Sequence, residues 1–182
     1  MTEGHIITTE EFFRQSRATS LHLDEEEVMA FVDEVEQMFV IPAIGYPLFE
    51  YLTQPDAKKP SDLDDDFDKE AFLSGGTYSA CGCGDSEVKY FKGIKAAVAY
   101  YAYAKMARSD GSIIARAGYM RHRDDYADHV DDGKLKQYND VMNVAETYMA
   151  RCIEYLNVHR KKNCCKRDKL KPSRANIKAI GE

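Results

Sequence analysis

The sequence predicts a mainly α fold: a helical bundle built on two long helices, about 86–109 and 132–159, with several short helices, a small extended or hairpin insertion at about 112–130 and an extended C-terminal tail. Three observations predict it. Apolar residues recur at steps of three and four along both long segments, as a helix with one buried face requires. Capping residues followed by acids open shorter helices nearer the N-terminus. Between the long segments, Ser112 to Gly118 holds Ile113 and Ile114 without any helical period. The organisation that follows is one helical domain over 1–159 and a basic extended arm over 160–182.

Thr8 caps a short helix that runs to about Ala18, with Glu10 and Glu11 at its positive end and Phe12 and Phe13 as anchors. Asp24 starts the next, whose buried stripe is Val28, Phe31, Val35 and Met38; Asp33, Glu34 and Glu36 fall on its opposite face. Pro42 ends or kinks that helix because it lacks an N–H to donate. Gly45-Tyr46-Pro47 leads into a short helix through Leu48, Tyr51 and Leu52, and Pro55 to Pro60 reads as a linker. Asp64 to Ser74 reads as an acidic helix burying Phe67, Ala71 and Phe72, stopped by Gly75-Gly76; a loop follows from Thr77 to Asp85.

Ser86 then caps the first long helix, whose stripe is Val88, Phe91, Ile94, Val98, Tyr101 and Ala102. Ala96, Ala97, Ala99 and Ala104 let another helix approach closely, and Tyr100, Tyr101 and Tyr103 can bury rings while keeping hydroxyls at an edge. Asp110-Gly111 supplies the turn out. The strand after it has a possible return near Tyr126 to Val130. The last helix buries Leu135, Tyr138, Val141, Ala145, Tyr148, Cys152, Tyr155 and Leu156.

Composition narrows the function classes. The 182 residues suffice for one ordinary domain with a real core, and 44% hydrophobic content fits a folded chain. No apolar run is long enough to span a membrane. Met1 to Thr9 lacks a basic region followed by an apolar stretch, so no secretory signal is expected and an intracellular or virion-exposed protein is the simplest reading. The formal charge of −6 is unevenly spread. The arm carries nine basic residues (Arg160, Lys161, Lys162, Lys166, Arg167, Lys169, Lys171, Arg174 and Lys178) against Asp168 and Glu182, a net +7 that leaves −13 for the body. Such an arm docks on something negative, either nucleic acid or the acidic body of a neighbouring copy. It has no aromatic residue for base stacking, which favours protein.

No catalytic pattern stands out. Cys81, Cys83, Cys164 and Cys165 match the number of thiolates a tetrahedral zinc takes, but their spacing fits no common zinc module. They read as free or small buried thiols, with Cys152 in the core, and no metal or other cofactor is expected. His122, His129 and His159 with Asp124, Asp125 and Asp128 read as a solvated or interface face. The run Asp62, Asp64, Asp65, Asp66, Asp68 fails the calcium-loop template, since Phe67 and Leu73 stand where a glycine and a glutamate are required. No Gly-x-Ser-x-Gly or phosphate loop is present.

One resemblance is carried by residues. Leu73-Ser-Gly-Gly-Thr-Tyr78, then Lys95-Ala-Ala-Val-Ala-Tyr-Tyr-Ala-Tyr-Ala-Lys105, then Asp110-Gly111 with its extended segment, then Asp124-Asp-Tyr126 before the last helix resemble the small head–tail connector proteins of tailed bacteriophages, in particular those of phages of gut Bacteroidetes, including crAss-like phages. The likeness covers roughly residues 70 to 158. It implies a non-enzymatic virion subunit that forms a ring, typically twelvefold, beneath the portal protein. Such a ring extends the DNA channel and gives later ring or tail proteins a docking surface. It implies location at the head–tail interface, with the host cytoplasm as the place before assembly. An acidic body suits a channel wall that DNA slides past without specific binding. The alternative is a nucleic-acid-binding accessory protein acting through the basic arm.

Overall fold

A computed structural model describes residues 4–17, 24–81, 86–109, 112–115, 118–121 and 131–160; the side chains of 80–87 and 109–135 lie outside that description. The fold is mainly helical. In chain order come α1 (Thr9–Gln15), α2 (Glu25–Val35), a π turn (Glu36–Val40), α3 (Ile41–Ile44), α4 (Tyr46–Thr53), α5 (Lys69–Ser74), strands β1 (Gly76–Cys81) and β2 (Ser86–Phe91), α6 (Ile94–Ser109), strands β3 (Ser112–Ala115) and β4 (Gly118–Arg121), and α7 (Asp131–Val158).

The centre of the molecule is α6. Ala97, Val98, Ala99, Ala102 and Ala104 are fully buried, and Tyr101 nearly so. A helix buried on almost every side must present small residues, because its neighbours crowd it from several directions. Here α7 lies along it, with α1, α2 and α5 on other sides. Tyr101 stacks on Phe39 with centroids 4.9 Å apart, and Tyr100 meets Tyr148 edge-on at 5.3 Å. Ion pairs tie the shell to this helix: Lys95 Nζ lies 2.6 Å from Glu11 Oε1, and Lys105 Nζ 2.7 Å from Glu34 Oε1. From α7, Val141, Ala145, Cys152, Tyr155 and Leu156 reach the core as the spacing predicts, joined by Met149 and Ile153.

Four expectations change. The first long helix does not begin at Ser86: residues 86–91 form β2, and Ile94 starts α6. Val88 and Tyr90 therefore lie in a strand and point to solvent, while the segment read as a loop contributes β1. The second correction concerns α2. Its ladder widens to i→i+5 at Glu36–Val40, where Ile41 N–H bonds Glu36 O, just ahead of Pro42, whose ring would crowd a tighter turn. The buried face runs through Val28, Val32, Val35, Glu36, Phe39 and Val40, and leaves Met38 half exposed. Third, α5 starts at Lys69, not Asp64: Asp68 caps it by accepting from Glu70 and Ala71 N–H. Fourth, Ser112–Ala115 pairs with Gly118–Arg121, and the return expected near Tyr126 to Val130 lies outside the described residues. The Thr8 cap holds as a capping box with Glu11, in a helix that stops at Gln15.

One junction sets the hairpin on the core. Gly75, ending α5, and Gly93, preceding α6, have φ of +95° and +81°. A Cβ at Gly93 would come within 3.0 Å of backbone atoms of Leu73, Ser74 and Gly75; one at Gly75 would meet Phe91 and Lys92. Both ends of the β1–β2 hairpin are thus pinched together by two residues that only glycine suits.

Candidate interaction surface

The β1–β2 hairpin pairs antiparallel with Thr77 opposite Tyr90, Tyr78 opposite Lys89, and Ser79 opposite Val88. Successive side chains alternate between faces. Tyr78 and Phe91 point inward and meet edge-on at 5.7 Å. Phe91 stacks on Tyr155 of α7 at 4.7 Å. The Tyr78 hydroxyl donates to Glu154 Oε2 at 2.9 Å, and Lys89 Nζ lies 3.7 Å from the same oxygen. Burial first, then the Glu154 carboxylate, push the Tyr78 phenol up to about 12. Burial works to raise Glu154, but the hydrogen bonds from Tyr78 and Arg151 outweigh it and hold the carboxyl below its ordinary value.

The outer face is bare. Val88 and Tyr90 are 68% and 65% exposed, and their cross-strand partners Ser79 and Thr77 are small. A branched and an aromatic side chain thus stand proud on a ribbon whose other face is fixed to the core. Protruding apolar side chains of this kind suit a contact between proteins.

The same turn of α7 carries the root of the basic arm. The Tyr155 ring gathers Phe67, Phe72, Phe91 and, at 4.4 Å, His159. The chain leaves α7 extended: Asp64 N–H donates to His159 O at 2.8 Å, and Leu63 and Arg160 form an antiparallel bridge. Arg160 Nε lies 3.6 Å from Asp62 Oδ2, and His159 Nδ1 3.7 Å from Asp66 Oδ1. Hairpin and arm are therefore mounted side by side on one aromatic platform.

One family profile matches residues 40–171, from the end of the π turn into the arm. The chain belongs to the DUF6712 family, described as a family of unknown function. No curated protein and no solved structure matches it. The part of this DUF6712 chain inside the match holds both hairpins, α6 and α7, whereas α1 and α2 precede it.

Of the residues singled out in the sequence, Arg160 is described and sits at the arm's root. Lys161, Lys162, Lys166, Arg167, Lys169, Lys171, Arg174 and Lys178 lie outside the described residues, as do Cys83, Cys164, Cys165, His122 and His129. Cys81 ends β1, with its side chain undescribed. Cys152 is a core thiol, pushed up to about 12 by burial. Among the described residues no group of three or more His, Cys, Asp or Glu side chains is placed to hold a metal, and no helix is long and apolar enough to cross a membrane.

Sequence reasoning missed three features. The first, the β1–β2 hairpin, shows no clean period-two signal: Lys89 is the one polar residue in Val88-Lys89-Tyr90-Phe91, and it is Val88 and Tyr90 that face solvent. Gly93, two residues past it, marks the break. The third is Glu36, whose charge argues for the solvated face, yet it is 1% exposed. Its Oε1 accepts Ile6 N–H at 2.7 Å, and its Oε2 accepts from His5 Nδ1 at 2.9 Å, pinning the N-terminal segment across α2. Burial raises the Glu36 carboxyl above its ordinary value, against those two hydrogen bonds. Glu36 follows Val28 and Val32 at steps of four, so helical spacing places it on the buried stripe, whereas Glu34 falls on the exposed side.

Proposed function

We propose that this protein is a structural virion protein: one subunit of a ring that docks on the portal of a tailed phage and extends the DNA channel between head and tail. The observation that carries the reading is the hairpin's outer face. A rigid body that fixes one face of a ribbon with Tyr78, Phe91 and Tyr155, and leaves Val88 and Tyr90 projecting, is suited to a heterologous contact with the next copy. The sequence likeness to connector proteins over residues 70 to 158 supports it, as does an arm of net +7 beside a body of −13. In this reading the ring, typically twelvefold, is built by hairpin contacts, the arm's distal lysines and arginines grip the portal or an adjoining subunit, and the acidic body lines a channel that DNA passes.

The test is electron microscopy of the purified chain mixed with its cognate portal. Rings on the portal are expected from the full chain. A chain lacking 160–182, and the double variant Val88→Thr with Tyr90→Thr, should stay folded and lose them. Portals that remain bare with the full chain overturn the reading. The arm's charge favours one second reading, a nucleic-acid-binding accessory protein. That reading requires DNA retention at low salt that falls steeply as salt rises, one released counterion for each phosphate neutralised.

A further inference from the structure

Each strand of the β1–β2 ribbon has one partner strand, so among the described residues neither outer edge meets a third. Among those residues, no loop or turn backbone bonds to β1 either. The strands pair in six consecutive steps, from Gly76 with Phe91 to Cys81 with Ser86, so neither is bulged. Folded proteins blunt an exposed edge with a charged residue, a proline or a bulge. The β1 segment, Gly-Thr-Tyr-Ser-Ala-Cys, has none of these. An edge left open in this way is a template for another extended segment, joined through main-chain N–H and C=O groups.

We propose that the free edge of β1 takes β2 of a neighbouring copy as its third strand, so that the hairpins of assembled copies run on into one sheet. The side chains say which edge meets which. On the outer face β1 presents the small Thr77 and Ser79, and β2 the larger Val88 and Tyr90, all four exposed. With β2 of the next copy beside β1, each Val88 and Tyr90 lies between two strands of small residues and packs across both, as cross-strand pairs do. With β1 beside β1, small residues meet small ones, and the large side chains of both copies stay uncovered. The first arrangement also repeats. Every copy offers one edge and fills another, as a closed ring requires, whereas β1 beside β1 stops at two copies. Contacts to α7 are made by the inner face, where Tyr78 bonds Glu154 and Phe91 stacks on Tyr155. This rests on the ring reading and names how neighbouring subunits in it are joined.

Hydrogen exchange read by mass spectrometry tests it on the full chain, free and in rings on its cognate portal. Alternate amides of β1, those turned away from β2, are expected to exchange about tenfold more slowly in the rings. Disulfide capture then identifies the neighbour, in a chain with Cys81, Cys83, Cys164 and Cys165 changed to serine. The new cysteines go on separate copies, because Ser79 and Val88 face each other within one chain. Copies carrying Thr77→Cys or Ser79→Cys are mixed with copies carrying Val88→Cys or Tyr90→Cys, which covers a register shift of two residues either way. Cross-links are expected from the mixtures in rings and from no variant alone. Rings with unchanged exchange in β1 overturn the proposal and leave the connector reading standing. Cross-links between two Ser79→Cys copies do the same, and so does protection without cross-links, which places the portal on that edge. Portals that stay bare overturn both.

Discussion

Residues 86–91 and 94–109 are adjacent in sequence and both rich in apolar and aromatic residues, yet one is a strand with a bare face and the other a helix buried on almost every side. The difference lies in which small residues are present and where. In α6 the alanines recur at helical positions, so α7, α1, α2 and α5 can all approach. In β2 no alanines recur to permit that; a branched and an aromatic side chain, Val88 and Tyr90, alternate with Lys89 and Phe91, which face the core. One segment supplies cohesion and the other supplies surface. The two-glycine junction is what keeps them distinct.

The largest expected effect comes from breaking that junction. Gly93→Ala puts a Cβ into the backbone of Leu73, Ser74 and Gly75 at a positive φ. Strain of the left-handed conformation and overpacking each cost roughly 1–3 kcal/mol, so urea denaturation should show a loss above about 2 kcal/mol. Next, Ala97→Leu tests the crowded side of the comparison. Ala97 is fully buried, and added methylenes there should cost about 1–3 kcal/mol in the same measurement. A loss below about 0.5 kcal/mol would mean that α6 is packed more loosely than its burial indicates.

These two sites also mark what the sequence made legible. Ala97 was readable because its role is local and periodic: small residues at helical spacing announce close packing. The same logic found Thr8 as a cap, Cys152 in the core and most of the buried face of α7. Gly93 was not readable, since its constraint comes from Leu73 to Gly75, which sequence separates from it by about twenty residues and the hairpin brings back. The strand was hidden because Val88, Phe91 and Ile94 also satisfy a helical step of three, and only the break at Gly93 chooses between the two periods. Glu36 was hidden because its charge argues for solvent, although steps of four from Val28 and Val32 place it on the buried stripe. At the candidate surface the charge of the arm was plain from counting, but its fastening to Leu63 depends on a pairing across about a hundred residues.

Glu36 sharpens the comparison from the shell around α6. Its carboxyl is raised in the folded protein above 4.5, so the folded state binds the proton more tightly than the unfolded chain. The sign is therefore that stability from this group is greatest below pH 4.5 and declines as pH rises through the folded value. Glu36→Gln keeps an acceptor for Ile6 N–H and removes the charge. Urea midpoints for the variant should lose that downward slope relative to the parent. Glu36→Leu leaves Ile6 N–H unpaired in the interior and should cost about 1–3 kcal/mol at any pH. Parallel pH profiles for parent and Glu36→Gln would show that another group sets the slope.

Tyr78→Phe probes the fixed face of the hairpin. It removes the donor to Glu154 and leaves the ring against Phe91 and Tyr155, so the expected loss is about 1 kcal/mol. The effect carries its own pH signature. Glu154 is held below its ordinary value, so its contribution is present above 4.5 and disappears as pH falls through the lowered folded value. The parent and Tyr78→Phe should therefore converge in acid, and thermal melts at neutral and acid pH would show it.

The smallest effect on stability belongs to the bare face, and its smallness is the point. Val88→Thr with Tyr90→Thr keeps strand-favouring residues opposite Ser79 and Thr77 and removes only apolar area that already faces water. The double variant should melt within about 0.5 kcal/mol of the parent, in contrast to Ala97→Leu a few residues away. If instead it unfolds the hairpin, the outer side chains contribute to the fold and their exposure is no sign of a partner. If it melts like the parent and no longer forms rings on the portal, then stability and assembly are carried by opposite faces of the same six-residue strand.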